Sequence, residues 1–165
     1  MLIRQHIPLI FGVPQNGFYG DLKVKKTFVA ELRPGLEGMT DVARELLKRR
    51  IQPVVICDNM MAFCMERELV SVVHIFSQGR RNDVALCRTG SLAAALCARV
   101  HRIPVVLHDG VVFALPRQVK AADLLKIAGI KVTSSKIKTY VPLLEEVPMG
   151  LIGPEGGRMR ICRRK

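Results

Sequence analysis

The sequence is poor in the features that would place it in a membrane or across a metal cluster. Its apolar residues make up 49% of 165, but they come in short runs broken by charge, Pro or Gly. None approaches the roughly 18 residues needed to span a bilayer. The opening MLIRQHIPLIFGVP carries one Arg and an apolar stretch broken by His6 and Pro8, with no small-residue cleavage site, so it does not read as a signal peptide. Cysteines are few and odd in number: Cys57, Cys64, Cys87, Cys97 and Cys162, with no CxxC pair. That pattern argues against a disulfide framework, a zinc site or a redox motif, and for reduced thiols in the cytoplasm. There is no P-loop, no GxGxxG and no HExxH, so nucleotide hydrolysis, dinucleotide binding and zinc proteolysis lack support. No metal and no cofactor is expected. Trp is absent and there are two Tyr, which leaves little for base stacking and weakens a single-strand nucleic-acid reading.

Acidic residues are also scarce, 14 Asp and Glu against 26 Lys and Arg, for a formal charge of +12. Such an excess points to an anionic partner: nucleic acid, a phosphorylated small molecule or an acidic protein surface. The cations cluster at Lys23–Lys26, Lys48–Arg50, Arg80–Arg81 and Arg158–Lys165. A solvated surface accounts for such clusters as well.

The length suits one domain with a real core. LKVKKTFVAE (22–31) alternates like a strand. After Gly35 and Gly38, the positions Met39, Ala43, Leu46 and Leu47 form an apolar stripe on a helix ending near Arg50, with Glu45 set to pair Arg49 one turn on. PVVIC (53–57) reads as a buried parallel strand, and Asp58-Asn59 as the cap of a short helix running to about Glu68. VSVVHIF (70–76) is a strand, 77–89 a basic loop, and Gly90-Ser91 opens a helix to Val100. IPVVLHD (103–109) is a further strand. Pro116 can start a helix that Gly129 stops, and KVT (131–133) suits a last inner strand.

Strands alternating with helices predict an α/β fold: a doubly wound, mostly parallel, Rossmann-like sheet flanked by helices in a single domain. Its bounds are read as 22–155, with an irregular segment 1–21 before it and a basic tail 156–165 after it. The stretch beyond Thr139, rich in Pro and Gly, reads as irregular chain wrapping the edge.

In such sheets ligands bind beyond the carboxyl ends of the strands, which selects three turns. In Arg33-Pro34-Gly35-Leu36-Glu37-Gly38, the glycines permit close backbone approach and Glu37 could accept sugar hydroxyls, against the plain alternative of a tight turn with a surface Glu. Asp58-Asn59 is a ligand anchor or an ordinary cap. Cys87-Arg88-Thr89-Gly90-Ser91 precedes a helix whose free N–H groups favour a phosphate, with Arg88 as a bidentate donor. Cys87 is a weak candidate nucleophile there, because a helix N-terminus and an Arg lower a thiol pKa. His74, inside a strand, reads as a partnered sheet residue, and His101 and His108 share no metal spacing.

In order and spacing these turns resemble a family that includes methylthioribose-1-phosphate isomerase, ribose-1,5-bisphosphate isomerase and the regulatory subunits of translation initiation factor 2B. ELRPGLEG (31–38) is similar to that family's E-S/T-R-P-x-x-Q/E-G turn, and DNMMAFCM (58–65) to its D-N/S-M-A-x-x-x-M segment. Gly90-Ser91-Leu92-Ala93, His101 and Ile103-Pro104 match its N-K-x-G-T…L-A…IPF unit, and PLLEEVP (142–148) its P-x-F-D-x-T-P turn. The resemblance covers about residues 23–155 and implies a Rossmann-like domain with a phosphorylated-sugar or nucleotide site. That site would comprise Arg33, Glu37, Asp58, Arg88, Gly90, Ser91 and Glu145, in a homo-oligomer or beside a partner subunit. In the family's isomerases a Cys and the Asp of G-A-D-R move the proton between sugar carbons. Here Ser77 or Gln78 falls at that Asp, and neither is a carboxylate base. The resemblance thus implies a non-catalytic regulatory or assembly domain. A rearranged aldose–ketose isomerase and a basic RNA-associated protein are the alternatives.

Overall fold

Five consecutive buried residues, Ile7–Phe11, form β1, near the middle of the sheet. The computed structural model describes residues 7–111, 121–127, 129–134 and 136–153. β1 pairs in parallel with β2 (Lys26–Ala30), and β2 with β3 (Gln52–Ile56). On its other edge β1 runs parallel to the long β4 (Val70–Arg81). Over Val73–Ser77 β4 is also parallel to β6 (Val105–Asp109). Its last residues instead turn back antiparallel onto β5 (Val84–Arg88), which pairs antiparallel with β9 (Leu144–Pro148). The main sheet therefore has seven strands, mostly parallel at one side and antiparallel at the other.

Alternation along the strands divides the core between two faces. Ile10 and Val29 pack with Tyr19 of α1 (Asn16–Asp21), with Leu46 of α2 (Ala43–Lys48), and with Val42 of the π-turn Gly38–Val42 that leads into α2. Leu9, Phe11, Phe28 and Ala30 pack on the opposite face with Met61, Cys64 and Met65 of α3 (Met61–Glu66) and Ala94, Ala95 and Ala98 of α4 (Ser91–Val100). Each large apolar side chain buried this way contributes about 1.5–3 kcal/mol. Phe18 stands edge-on to Phe76, His74 and His108. His74 Nδ1 lies 2.9 Å from His108 Nε2, so one ring donates to the other. Burial, and then the neighbouring ring, push His74 down to about 4. His74 is thus a partnered sheet residue, and its partner is His108.

The α/β fold with flanking helices is as expected, and several elements depart from expectation. Residues 7–21 are not irregular: they supply β1 and α1. The basic stretch 77–89 is no loop but the β4–β5 hairpin, turning at Asn82 with φ 52°. β3 is an edge strand with Val55 38% exposed, not an interior one. Pro53, lacking an N–H, fits that edge position. In the predicted helical stripe Ala43 and Leu46 are buried, but Met39 and Leu47 are exposed, and Val42 is buried instead.

Pro116 lies outside the described residues, as do Cys162 and the tail from 154 on. Where a helix was expected after it, Ala121–Leu125 is a 3₁₀ turn and β7 (Lys126–Ile127) pairs with β8 (Ile130–Lys131) in a two-stranded ribbon. Gly129, at φ 79°, belongs to that ribbon's turn. KVT is therefore no inner strand. The late segment beyond Thr139 contributes β9. Among the described residues no helix is long and apolar enough to cross a membrane.

Candidate functional site

The turn after β2 has an unusual backbone and one side chain that holds it. Leu32 and Leu36 both adopt φ 61°, and the Arg33–Pro34 bond is cis. Left-handed leucines are strained and persist where surrounding contacts over-determine them. Here Asp58 supplies those contacts. Its Oδ1 accepts from the Leu32 N–H at 2.9 Å and its Oδ2 from the Arg33 N–H at 2.7 Å. Neither cap position, Cys57 before the 3₁₀ turn Asp58–Met60 nor Met60 before α3, makes a side-chain cap bond; the Asp58 carboxylate instead clamps the turn beside it. The Arg33 guanidinium stands at the rim, 3.4 Å from the Lys126 carbonyl.

The turn folds Glu37 inward. A Cβ on Gly35 would lie 2.5 Å from the Glu37 carboxylate, so only glycine leaves room for this arrangement. Both carboxylate oxygens accept from Arg88 Nη2 at 3.0 Å, and the two side chains are 6% and 7% exposed. Glu37 is therefore no surface residue, and Arg88 is committed to it. A charge-assisted pair this deep neutralises both members at a substantial desolvation cost.

The amino end of α4 is also occupied by the protein itself. Glu145, from β9, accepts from Gly90 N–H at 2.7 Å and Leu92 N–H at 2.8 Å through Oε1. A carboxylate here satisfies orphan N–H groups and meets the positive end of the helix dipole. Gly90 sits at φ 103°, and a side chain there would run into the Phe11 ring, so α4 starts directly against the end of β1. Beside it the hydroxyls of Thr89 and Ser91 are buried with no hydrogen-bond partner among the described residues. Ser91 itself is fully buried. Glu145→Ala should cost about 1–2 kcal/mol in urea denaturation, with Glu145→Gln recovering part of it. A loss below about 0.3 kcal/mol would mean that Glu145 is dispensable as a cap.

Cys87 does not meet the requirements of a nucleophile. It is fully buried on β5, facing Glu145 in register, and burial, followed by Glu145, pushes its thiol up to about 11. The Arg beside it in sequence is spent on Glu37, and the helix N-terminus on Glu145. Ser77, buried, pairs with Cys87 on one strand and Asp109 on another. Among the described residues no three His, Cys, Asp or Glu converge to hold a metal ion.

The structure thus brings Glu37 to Arg88 and Glu145 to Gly90, next to Ser91. It places Asp58 beneath the first turn and leaves the Arg33 side chain at the rim. Sequence reasoning named Thr89 only as part of the Cys87–Ser91 turn and did not include Phe11 in this cluster. The apolar run at 7–11 closed by Gly12 was the signal for β1, and through it for Phe11.

A sequence model of the initiation factor 2 subunit family matches residues 18–112. Methylthioribose-1-phosphate isomerase from Desulforudis audaxviator (strain MP104C) is 29% identical over 142 residues, 79% of this chain and 40% of the relative. The enzyme of that name from Carboxydothermus hydrogenoformans is 37% identical over 84 residues, 50% of this chain and 24% of the relative. The chain therefore spans well under half the length of these curated relatives. Among solved structures, translation initiation factor eIF-2B, subunit delta, from A. fulgidus superposes with a TM-score of 0.71 at 14% identity, over 90% of this chain and 51% of that one. The 5-methylthioribose 1-phosphate isomerase of Pyrococcus horikoshii OT3 gives 0.65 at 18% identity, over 90% and 49%. The structural likeness shows a shared fold, and the sequence match extends over more than half of the residues: the chain belongs to the initiation factor 2 subunit family.

Proposed function

We propose that this chain is a non-catalytic domain of its family, acting in regulation or assembly, and that it binds a phosphorylated sugar or nucleotide beside α4. The observation that carries the first half is the absence of a proton-transfer pair among the clustered residues. Ser77 or Gln78 falls at the resembled family's Asp, Cys87 is sealed with its thiol raised to about 11, and Glu37 and Glu145 are both engaged. A general base must be within hydrogen-bond reach of the proton it removes and in the right ionic state. None of these groups meets both conditions. Support for a ligand comes from the buried, unpartnered hydroxyls of Thr89 and Ser91, which a phosphate or sugar oxygen would satisfy. Arg33 adds a cation at the rim. A structural relative named as a subunit of an initiation factor supports an assembly role.

The rival reading, an aldose–ketose isomerase, draws on the curated relatives named methylthioribose-1-phosphate isomerase. One pair of assays separates the two. With methylthioribose 1-phosphate and ribose phosphates, the expected result is no turnover, Cys87 unreactive toward a thiol reagent in the folded protein, and a saturable thermal shift that Ser91→Ala removes. Turnover that Cys87→Ser abolishes without unfolding would establish the isomerase instead. No shift from any small phosphate would refute the ligand site.

A further inference from the structure

The sheet's opposite end carries a second concentration of charge. β2 and β3 are parallel neighbours, so the connections leading into them lie side by side. Gln52 N–H bonds the Lys25 carbonyl at 2.9 Å and holds the two together. Between them is a shallow, open cleft of about 470 Å³ lined by Tyr19, Lys23, Lys25, Arg49, Arg50 and Ile51, among others. Lys26 and Lys48 flank it in sequence. The left-handed residue that ends the α2 connection is Arg50, at φ 60°.

The cations here are not equivalent. Glu45 holds Lys48 at 3.1 Å and Arg49 at 3.0 Å, and Arg49 also lies over the Tyr19 ring. Lys23, Lys25, Lys26 and Arg50 have no carboxylate within ion-pair distance among the described residues. All four are exposed. Like charges gathered around a concavity reinforce one another's field and raise the local concentration of anions.

We propose that this cleft binds the phosphodiester backbone of a nucleic acid. Its apolar lining residues, Tyr19, Leu22, Val24 and Ile51, are buried or half-buried. It thus offers neither an apolar side chain to insert into a bilayer nor an exposed anchor of the kind that dominates protein interfaces. Repeating phosphates meet what it does offer: unpaired cations at a concave surface. With no exposed aromatic in the lining, recognition is of the backbone and indifferent to sequence.

The test is fluorescence anisotropy of the full chain with labelled oligouridylate, oligothymidylate and duplex DNA, at about 50 and 200 mM salt. Four neutralised phosphates predict an affinity falling roughly 100-fold across that range. The variant Lys23→Gln/Lys25→Gln/Arg50→Gln should lower the slope of log K against log salt by about 2–3, with an unchanged circular dichroism spectrum. The control Arg163→Gln/Arg164→Gln/Lys165→Gln should bind like the unmodified protein. Comparison of the oligomers identifies which nucleic acid is favoured. The proposal fails if no oligomer binds at the lower salt, if binding follows the control residues instead, or if only anionic phosphatidylserine vesicles bind.

Discussion

Glu37→Ala is expected to destabilise the protein by roughly 3–5 kcal/mol, on the order of 10 °C in Tm. The reason is what the substitution leaves behind. The Arg88 side chain is 7% exposed and faces both oxygens of Glu37; without them the buried guanidinium loses this counter-charge. Removing one member of a buried pair costs far more than the intact pair contributes, because pairing only offsets the desolvation of both groups. The double variant Glu37→Leu/Arg88→Met should therefore recover most of the loss, within about 2 kcal/mol of the unmodified protein. Equilibrium urea denaturation of the three proteins, with m-values compared, measures this. If Glu37→Ala cost under about 1 kcal/mol, the pair would be behaving as an exposed salt bridge, and the sealed geometry described for it would be wrong.

Gly38→Ala should be comparably damaging, for a purely steric reason. A Cβ at that position falls onto the Ala30 carbonyl oxygen, with the Ala30 carbonyl carbon 2.9 Å away. These are main-chain atoms of β2, so no side-chain rotation relieves the overlap, and the π-turn must move off the sheet. Overpacking of this kind costs roughly 1–3 kcal/mol and more where backbone must shift; about 3 kcal/mol is expected here. Gly17→Ala is the matched control. Gly17 lies inside α1 with nothing within 4 Å of an added Cβ, and replacing a helical glycine in open space should raise stability by up to about 1 kcal/mol. Opposite signs from the same chemical change would locate the effect in the contact. Equal, small effects would mean that the π-turn yields freely.

The sequence conveyed elements better than it conveyed neighbours. β2, β6 and α4 were legible because apolar periodicity and flanking Gly or Pro record local geometry. PVVIC looked interior because an edge strand covered on one side can be as apolar as a central one. Prolines at 142 and 148 concealed β9, although a strand pairing along one edge tolerates them at its ends. The candidate residues were found by type, and their duties were not. Asp58 resembled a helix cap and clamps a turn 26 residues earlier. Glu145 resembled part of a ligand turn and caps a helix 55 residues earlier. Neither partner can be inferred from local spacing, since both follow from the way distant strands come into register. The two basic clusters before β2 and β3 carried more information than they seemed to. Once those strands are known to be parallel neighbours, their leading loops must meet.

The double engagement of β4 also sets the order in which the chain can assemble. Its hairpin with β5 turns through two residues and closes on the microsecond scale. The parallel pairing of β4 with β1 and β6, and the antiparallel pairing of β5 with β9, join stretches separated by intervening helices or long connections. Pairings of that kind pay loop-closure entropy before any contact forms, which places the complete sheet among slow-folding topologies. Until β1 and β6 dock, β4, whose first seven residues are mostly apolar, presents open edges to every other chain in solution. Refolding yield will accordingly fall with protein concentration, and the vulnerable interval ends when β1 and β6 have both reached their places beside β4.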